Sequence, residues 1–367
     1  MMSAPRRRVS KLRQLAEHQG ISGFVISTTP NLRYYAGLSV IAAERFVGTV
    51  IPLDSEPVTI VPELERQSLK DQRLPFKNIL TYTDAEGPRV VLERALRGAG
   101  LARGTLGIEG FLPYKFFVAI SRAVPKAKLK DTSSILLDLR LVKTRDEREI
   151  MRAAAEAVRK GIDAGIEAVK VGATELEVSF EIEREIKELG CEAVPYCLVL
   201  TGKNSVYVHG ITSRTRIQKG DALIIDVAAT REGYFADLTR TIFVGSATAT
   251  QRKVYETVHK AQEKAIRSVR PGIPACKVDR AARGVIEHAG YGKYFVHRTG
   301  HGLGLEVHED PSLAEHCTTM LRAGMTFTVE PGIYLPHKYG VRIEDDIAVT
   351  GSGNIPLGQC PKDLLIV

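Results

Sequence analysis

Two aspartates lie beside strand-like apolar runs in the second half of the chain. Asp226 follows the apolar run 222–225, which is rich in β-branched residues, and Asp237 stands shortly before the run 239–244. Acids at two buried strand ends are costly unless a cation lies between them, and carboxylate oxygens are hard ligands for divalent metal ions. A single aspartate in such a place is more often a turn former or a helix cap. The pair therefore indicates metal chemistry only if further ligands converge on it.

Two glutamates occupy similar places. Glu330 ends an apolar run and precedes a Pro-Gly turn, whereas Glu344 stands inside the strand-like run 341–349. A solvated strand end would also account for Glu330. Glu344 requires a buried partner, and Arg342, two residues earlier on the same strand face, offers an ion pair as the alternative to a metal ion. From the residues alone, both explanations of Glu344 remain open.

Histidine and glycine are concentrated in the segment 297–309, which contains His297, His301 and His308. His301 stands between glycines, which permit close backbone approach and leave the imidazole at a crowded bend. The same glycines would also fit an ordinary tight bend. His209 lies in a loop between predicted strands, where a lone histidine is usually a surface residue. His301 is the one imidazole that we add to the acids as a candidate ligand.

Two divalent metal ions would balance the charges of these side chains. Asp226, Asp237, Glu330 and Glu344 carry four negative charges, and two divalent ions supply four positive ones. One imidazole nitrogen, from His301, among oxygen donors favours Mn²⁺, Co²⁺, Fe²⁺ or Zn²⁺ over Ca²⁺. No cysteine belongs to the set, which excludes a structural zinc site. The pattern therefore predicts a two-metal site.

The elements that must hold these residues form two predicted domains. Residues 1–135 alternate strands with helices, which indicates a small α/β domain, and residues 136–367 form the other domain. In the first domain the pattern predicts helices over 9–20, 89–97 and 116–124, a helical turn over 31–37, and strands over 21–27, 46–53, 57–61 and 105–108.

The second domain combines helix pairs with irregularly connected strands, which indicates an α+β domain with helices on one side of a sheet. Thr144 with Glu147 and Thr174 with Glu177 form capping boxes that begin two long helices, joined by a turn at Gly172. Further helices are predicted over 251–269 and 276–288, and strands over 198–201, 222–227, 239–244, 326–329 and 341–349.

Composition excludes several classes of protein. The 367 residues carry a net charge of +8, but the basic residues are interleaved with acids, so we expect no nucleic-acid partner. There is no apolar run of membrane-spanning length and no signal core, so we expect a cytoplasmic protein with no membrane partner. Five scattered cysteines, none in a CxxC pair, are expected to be reduced and buried.

The acids and histidines, in this order and with these neighbours, resemble those of the pita-bread metallopeptidases. This family includes Xaa-Pro dipeptidase (prolidase), aminopeptidase P and methionine aminopeptidase. The first domain resembles the α/β domain that precedes the catalytic domain in prolidases and aminopeptidases P, and that methionine aminopeptidases generally lack. The matching motifs in the second domain are Asp226, Asp237-Leu238-Thr239-Arg240-Thr241, Thr299-Gly300-His301-Gly302-Leu303-Gly304, Glu330-Pro331-Gly332-Ile333-Tyr334 and Val341-Arg342-Ile343-Glu344-Asp345.

The resemblance implies a fold and a ligand set. The fold is a small N-terminal α/β domain followed by a pita-bread catalytic domain, in which two helix pairs cover a curved antiparallel sheet. Asp226 would chelate one metal ion, and His301 with Glu330 would bind the other. Asp237 and Glu344 would bridge the two. Two divalent ions are implied, with Mn²⁺ or Co²⁺ foremost and Zn²⁺ or Fe²⁺ as alternatives.

The resemblance also implies catalytic residues and an assembly. His209, His297 and His308 would contact the substrate and help to stabilise the tetrahedral intermediate. Glu330 is the candidate that takes the proton of the attacking water, and Arg342, in the last motif, is counted with the catalytic residues. Homodimers are the usual assembly in this family.

The implied activity is hydrolysis of Xaa-Pro bonds in dipeptides or short peptides. Many compact prolidases carry an arginine after the proline of the His-Glu-x-Pro segment, whereas Ser312 follows Pro311 here. Aminopeptidase P activity on longer Xaa-Pro-Yaa peptides therefore remains the alternative. A non-hydrolytic binding protein of the same fold and creatinase-type chemistry without metal ions are disfavoured, because such relatives usually lose metal ligands and this chain has the full set.

Overall fold

The computed structural model describes residues 3–40 and 44–367 of the chain. The chain divides into two compact units, Met1–Arg140 and Leu141–Val367. The division falls near the end of a helix, a few residues after the boundary of 135/136 expected from the sequence. Every candidate site residue belongs to the second unit.

The described part of the first unit contains a mixed α/β fold around a six-stranded sheet. Its helices are α1 (Ala4–Glu17), α2 (Thr29–Asn31), α3 (Arg66–Lys70), α4 (Arg89–Gly98), α5 (Tyr114–Ala123) and α6 (Ser133–Leu141), and its strands are β1 (Gly23–Ile26), β2 (Gly48–Pro52), β3 (Val58–Pro62), β4 (Asn78–Tyr82), β5 (Arg103–Ile108) and β6 (Lys126–Asp131). The strand order is β4-β3-β2-β1-β5-β6, with β1 antiparallel to β2 and parallel to β5.

The two edge strands of this sheet, β4 and β6, are not predicted by the sequence pattern. In β6 the side chains of Lys126, Lys128 and Lys130 are exposed, and in β4 only Tyr82 is buried. An edge strand buries little surface: β6 alternates lysines with Ala127 and Leu129, which are only partly buried, so its apolar signal is too weak to predict a strand. Lysines on such a strand also oppose pairing with another chain. The missing signal is therefore a property of edge strands.

The second unit carries two helix pairs. They are α7 (Arg145–Ala168) with α8 (Glu175–Glu188), and α9 (Ala249–Ser268) with α10 (Cys276–His288). The predicted capping boxes begin α7 and α8, and Thr248 with Gln251 forms another at the start of α9. Helices α7 and α8 can approach closely because Gly161 has no side chain. The side chain of Ile186 occupies the space that a Cβ at Gly161 would need.

The strands of the second unit pair in antiparallel fashion. They are β7 (Ala193–Thr201), β8 (Ala222–Arg231), β9 (Tyr234–Phe243), β10 (Gly300–Gly302), β11 (Glu309–Leu313), β12 (Thr326–Val329), β13 (Gly332–Leu335), β14 (Tyr339–Arg342), β15 (Asp345–Val349) and β16 (Asn354–Pro356). Within the described residues they form the sheets β7-β8-β9, β11-β10-β12-β15-β16 and β13-β14. An isolated bridge between Thr239 and Glu344 links β9 to the segment between β14 and β15.

Two strand predictions are wrong. Asp237 lies inside β9 and not before it, because the strand begins at Tyr234. The run predicted as one strand over 341–349 is broken between β14 and β15, where the chain passes from one sheet to another. Ile343, within the break, is fully buried, so hydrophobicity continues through it and does not mark the change.

The described residues contain no helix that is both long and apolar enough to cross a membrane. All five cysteines are free thiols, and four are buried, whereas Cys317 is partly exposed. The cysteine prediction therefore holds for all but Cys317.

Candidate metal centre

The hairpin of β8 and β9 places two acids side by side. In its register Ala228 pairs with Asp237, and Asp226 pairs with Thr239. Residues two apart on a strand share a face, and so do directly paired residues, so Asp226, Asp237 and Thr239 point to the same side. Asp226 is 8% exposed and Asp237 is 2% exposed. Two acids that are distant in sequence thus share one buried surface.

Glu344 reaches this surface from the break between β14 and β15. Its backbone N–H donates to the carbonyl oxygen of Thr239 at 3.1 Å. The hydroxyl of Thr239 donates to Oε2 of Glu344. Both contacts fix Glu344 against β9 at Thr239, the residue that pairs with Asp226 on the other side.

Arg342 pairs with Asp226 and not with Glu344, which corrects the ion-pair explanation of that glutamate. Nη2 of Arg342 donates to Oδ2 of Asp226, and Nη1 donates to the hydroxyl of Tyr334 at 2.7 Å. Burial alone would lower the pKa of Arg342, but its interactions with Tyr334 and Asp226 outweigh burial and raise the pKa well above its normal value. Arg342 is therefore a permanent cation that compensates one buried carboxylate.

The glycines around His301 are required by packing. A Cβ at Gly300 would overlap the carbonyl oxygen of Thr328, and a Cβ at Gly302 would overlap that of Asp310. Strand β10 can lie between β11 and β12 at this distance only because both positions are glycine. The glycines thus set the position of His301.

The imidazole of His301 presents one nitrogen to the acids. Its Nδ1 donates to the carbonyl oxygen of Gly302 at 3.1 Å, which leaves the lone pair of a neutral ring on Nε2. That Nε2 lies 3.3 Å from Oε1 of Glu330 and 4.0 Å from Oδ2 of Asp237. Burial lowers the pKa of His301 to about 3, so the ring is neutral at pH 7. A neutral imidazole with a free lone pair is a metal ligand.

The donors converge in a way that fits divalent metal ions. The ligand atoms of Asp237, His301 and Glu344 lie within 4.8 Å of one another. Asp226 and Glu330 line the same cavity. Among the described residues, no hydrogen-bond donor reaches the buried Oδ1 atoms of Asp226 and Asp237. A buried carboxylate oxygen without a partner is costly, and a divalent cation would satisfy it.

The acids of this cavity resist ionisation without a compensating charge. Burial raises the pKa of Asp237 and of Glu344 well above the normal values, and neighbouring carboxylates raise both further. Burial also raises the pKa of Glu330 to about 7, against the opposing effect of Arg342. A bound cation would favour the ionised forms of all three.

Two of the predicted catalytic histidines stand on the exposed side of the cavity, whose volume is about 700 Å³. His209 and His308 line this cavity, and both are exposed. The ring centroid of His308 lies 4.2 Å from that of His301, with the two rings edge to face. Both histidines are therefore accessible to a molecule that enters the cavity.

His297 lines the cavity but has partners on both ring nitrogens. Its Nδ1 donates to the carbonyl oxygen of Arg298 at 2.7 Å. Its Nε2, 2.9 Å from the hydroxyl of Tyr334, accepts from that hydroxyl, which in turn accepts from Arg342. Burial lowers the pKa of His297 to about 3. This geometry favours a positioning role for His297 over the predicted contact with substrate.

Sequence reasoning missed two polar side chains of the cavity wall, those of Tyr196 and Arg298. The hydroxyl of Tyr196 donates to Oδ2 of Asp237. Arg298 lines the cavity, and its Nη1 donates to Oγ of Ser312 at 3.4 Å. Arg298 directly follows His297 in the histidine-rich segment, so its position was a usable signal. Tyr196 gave none, because a tyrosine in an apolar strand is typical of a core.

Comparisons with known proteins agree with this site. Residues 8–142 match the Creatinase/Prolidase N-terminal domain, and residues 149–351 match Metallopeptidase family M24. The chain is 36% identical over 361 residues to the Xaa-Pro dipeptidase of Pyrococcus horikoshii, with 98% of each chain covered. It is similar to the crystal structure of recombinant prolidase from Thermococcus sibiricus, with a TM-score of 0.94, 35% identity and 100% of both chains covered. The X-Pro aminopeptidase from Thermotoga maritima is similar with a TM-score of 0.88 and 28% identity, over 98% of this chain and 99% of that one.

The matched regions contain the residues that the sequence singled out. Every predicted metal ligand, from Asp226 to Glu344, lies within 149–351. The resemblance and the fold class, a small α/β domain followed by a pita-bread domain, are confirmed. Membership of this family implies divalent metal ions as cofactors. The chain belongs to metallopeptidase family M24 and is an enzyme.

Proposed function

We propose that this metallopeptidase is an exopeptidase that hydrolyses the Xaa-Pro bond of dipeptides. The relatives named above as Xaa-Pro dipeptidase and prolidase support this substrate class. The observation that carries the proposal is a single cavity whose walls include both the metal-ligand cluster and Arg298. A dipeptidase requires a hydrolytic centre and a group that recognises a free carboxylate, and this cavity supplies both.

Arg298 is the candidate for that recognition. Within the described part of the chain, its guanidinium has no carboxylate at salt-bridge distance, and the hydroxyl of Ser312 accepts its hydrogen bond at 3.4 Å. The other arginine of the wall, Arg342, is already paired with Asp226. Guanidinium groups match carboxylates in shape and charge. Arg298 therefore supports a dipeptide substrate even though Ser312 stands where many compact prolidases have an arginine.

The family resemblance supports a division of labour among the ligands. Asp226 would hold one divalent ion, and His301 with Glu330 would hold the other. Asp237 and Glu344 would bridge the two. The single imidazole among oxygen donors favours Mn²⁺ or Co²⁺. When bound, the ions would lower the pKa of water and polarise the scissile carbonyl.

Glu330 is the candidate general base. A carboxylate next to the metal ions can accept a proton from water and later release it. It lies beside His301, with 3.3 Å between Oε1 and Nε2, on the wall that the carbonyl of a bound peptide would face. The proton would pass from the attacking water to Glu330 and then to the leaving amine.

His209 and His308 are the candidates for oxyanion stabilisation. Both are exposed to the cavity, and burial lowers the pKa of His308, so its ring is neutral at pH 7 and can donate one hydrogen bond. The nitrogen of proline has no hydrogen and requires a positioned proton donor to leave. Glu330, once it has taken the proton of the attacking water, is that donor, and we assign oxyanion stabilisation to His209 and His308.

Substrate preference tests the proposal. Metal-free enzyme would be titrated with Mn²⁺, Co²⁺ and Zn²⁺ and assayed on Ala-Pro and Ala-Pro-Ala. We expect a higher kcat/KM on Ala-Pro. A higher value on Ala-Pro-Ala would assign the enzyme to the aminopeptidase P group, and no hydrolysis of either peptide with any metal would refute the proposal.

Single substitutions test the assigned residues. His301→Ala and Glu330→Ala should abolish turnover and reduce bound metal, because each removes a ligand. His316→Ala is the matched control, since His316 is exposed and lies outside the cavity wall. Metal content would be measured by elemental analysis. Full Xaa-Pro activity in either ligand variant would refute the assignment.

We also infer a homodimer, on the strength of the resemblance. Light scattering coupled to gel filtration should give a mass about twice that of the 40.3 kDa chain. A mass equal to one chain across the concentrations used would refute this inference.

A further inference from the structure

Helix α10 carries a buried ion pair that the hydrolytic reaction does not use. Oδ1 and Oδ2 of Asp279 accept hydrogen bonds from Nη2 and Nε of Arg283, at 3.0 Å and 2.9 Å. The side chain of Asp279 is fully buried, and that of Arg283 is 22% exposed. Buried ion pairs stabilise a fold only weakly, so this pair calls for a further explanation.

Each member of the pair holds the backbone on one side of Arg298. On the N-terminal side, Nη2 of Arg283 donates to the carbonyl oxygen of His297 at 2.9 Å. On the C-terminal side, Oδ1 of Asp279 accepts from the backbone N–H of Thr299 at 3.1 Å and from its hydroxyl at 2.8 Å. The residue between these two anchors is Arg298.

The anchored segment has no regular structure of its own. It lies between the end of the turn Gly292–Tyr294 and the start of β10. Nη1 of Arg283 also donates to the carbonyl oxygen of Phe295 at 3.2 Å, and its guanidinium lies over the ring of Phe295 at 4.3 Å. The N–H of Thr299 is shared with the carbonyl oxygen of Leu313 at 3.0 Å. The backbone carbonyl oxygens of Phe295 and His297 are thus fixed through Arg283, and the ring of His297 is held separately by Tyr334.

We propose that Asp279 and Arg283 are positioning residues that aim Arg298 at the carboxylate of the substrate. This inference rests on the proposed dipeptidase function. A guanidinium that must meet a carboxylate in a forked geometry requires a fixed backbone, because small errors at Cα become large errors at the end of a long side chain. The pair supplies that fixed backbone from a rigid helix.

The test compares substrates with and without a free carboxylate. Arg283→Lys keeps the charge but cannot hold Asp279 and the two carbonyl oxygens together. For the metal-loaded variant we expect KM for Ala-Pro to rise about tenfold, as for a misaligned charged hydrogen bond. We expect kcat to stay nearly unchanged, and KM for Ala-Pro amide to stay that of the wild type.

A double-mutant cycle and a control sharpen the test. In an Arg298→Ala background, Arg283→Lys should have no further effect on KM for Ala-Pro. Arg280→Lys, an exposed arginine on the same helix, is the matched control and should behave as the wild type. Thr299→Val, which removes one bond to Asp279 and keeps the side-chain shape, provides a second variant if Arg283→Lys does not fold, and should shift KM in the same direction.

The outcomes separate this inference from the function on which it rests. The inference would be overturned if KM changed equally for both substrates. It would also be overturned if the effects of Arg283→Lys and Arg298→Ala on KM were additive, since either result would show that the pair only packs the core. Wild-type enzyme that hydrolyses Ala-Pro while the variants keep its KM would overturn the inference alone. Wild-type enzyme that does not hydrolyse Ala-Pro would overturn both.

Discussion

Asp237, a predicted metal ligand, has a hydrogen-bond partner that sequence reasoning did not find. That partner is the hydroxyl of Tyr196. It donates to Oδ2 of Asp237, the acid in the centre of the donor cluster. Strand β7 shifts its register between Ala193 and Tyr196, and this shift is not visible in the residue pattern. Tyr196 and Asp237 both pair with Ala228 across the sheet, so the interaction depends on a strand register that the sequence does not reveal.

Replacing Tyr196 by phenylalanine should weaken metal binding. Loss of a hydrogen bond to a ligand carboxylate typically lowers metal affinity about 10–100-fold, because the ligand is no longer held in position. Isothermal titration of Mn²⁺ into the metal-free variant and wild type would measure this. Tyr207→Phe is the control, since Tyr207 is exposed. Equal Mn²⁺ affinity in Tyr196→Phe and wild type would contradict the prediction.

The acids of the site could be predicted from the sequence, and some of their partners could not. Asp226 and Glu344 stand among apolar residues, which obliges them to have buried partners. The identity of the partner depends on tertiary contacts, and for that reason the alternative of an ion pair between Arg342 and Glu344 stayed open until the structure paired Arg342 with Asp226. His297 was expected to meet substrate and does line the cavity, but its ring is also held by the hydroxyl of Tyr334, which only the folded chain brings near.

At the scale of elements, helices were predicted best because their signals are local. Capping boxes and amphipathic periodicity gave α7, α8 and α10 with nearly correct limits. Strands depend on neighbours that the sequence does not reveal. The edge strands β4 and β6 bury few apolar residues, and the break between β14 and β15 lies in a continuously buried run.

The short strand β10 should not tolerate a side chain at Gly300. A Cβ there would overlap the carbonyl oxygen of Thr328, so Gly300→Ala should lower the free energy of unfolding by about 3 kcal/mol and reduce metal binding by displacing His301. Urea unfolding and metal titration would measure both. Gly284→Ala is the control: nothing lies near its Cβ, and within helix α10 it should raise stability by about 0.5–1 kcal/mol. A Gly300→Ala protein as stable as the wild type would contradict this packing argument.

The capping box of α8 should contribute stability that is lost in acid. Glu177 accepts hydrogen bonds from the backbone N–H of Thr174 at 2.7 Å and from its hydroxyl at 3.0 Å, and these bonds lower the pKa of Glu177. The contribution is therefore complete above the unfolded-state pKa of about 4.3 and is lost as pH falls through the lower pKa of the folded state.

Glu177→Gln isolates this effect, because glutamine keeps an acceptor oxygen but does not titrate in this range. The difference in the free energy of unfolding between wild type and variant should shrink as pH falls from about 6 to about 3. Urea unfolding at a series of pH values would measure it. A difference that is constant with pH would show that the carboxylate charge of Glu177 does not matter.

At the scale of the whole molecule, bound metal should stabilise the second unit. A ligand that binds only the folded state contributes about 2.7 kcal/mol at a free concentration of one hundred times its Kd. Chelation should lower the Tm of the unit Leu141–Val367, which contains every predicted ligand, and leave that of Met1–Arg140 unchanged. Calorimetry with and without chelator, followed by addition of Mn²⁺, would test this and would test the proposal that the units are separate domains. If the Tm of the second unit did not change on adding chelator, the assigned metal site would be contradicted.

The guanidinium of Arg342 changes the net charge of the metal site. It adds a fixed positive charge to the four acids, and Arg298 on the same wall adds another, so two divalent ions would leave the filled centre with two positive charges in excess. Such a centre attracts and retains a small anion at low ionic strength. Phosphate or acetate should therefore act as a competitor, and a zwitterionic peptide should be drawn in by the same excess.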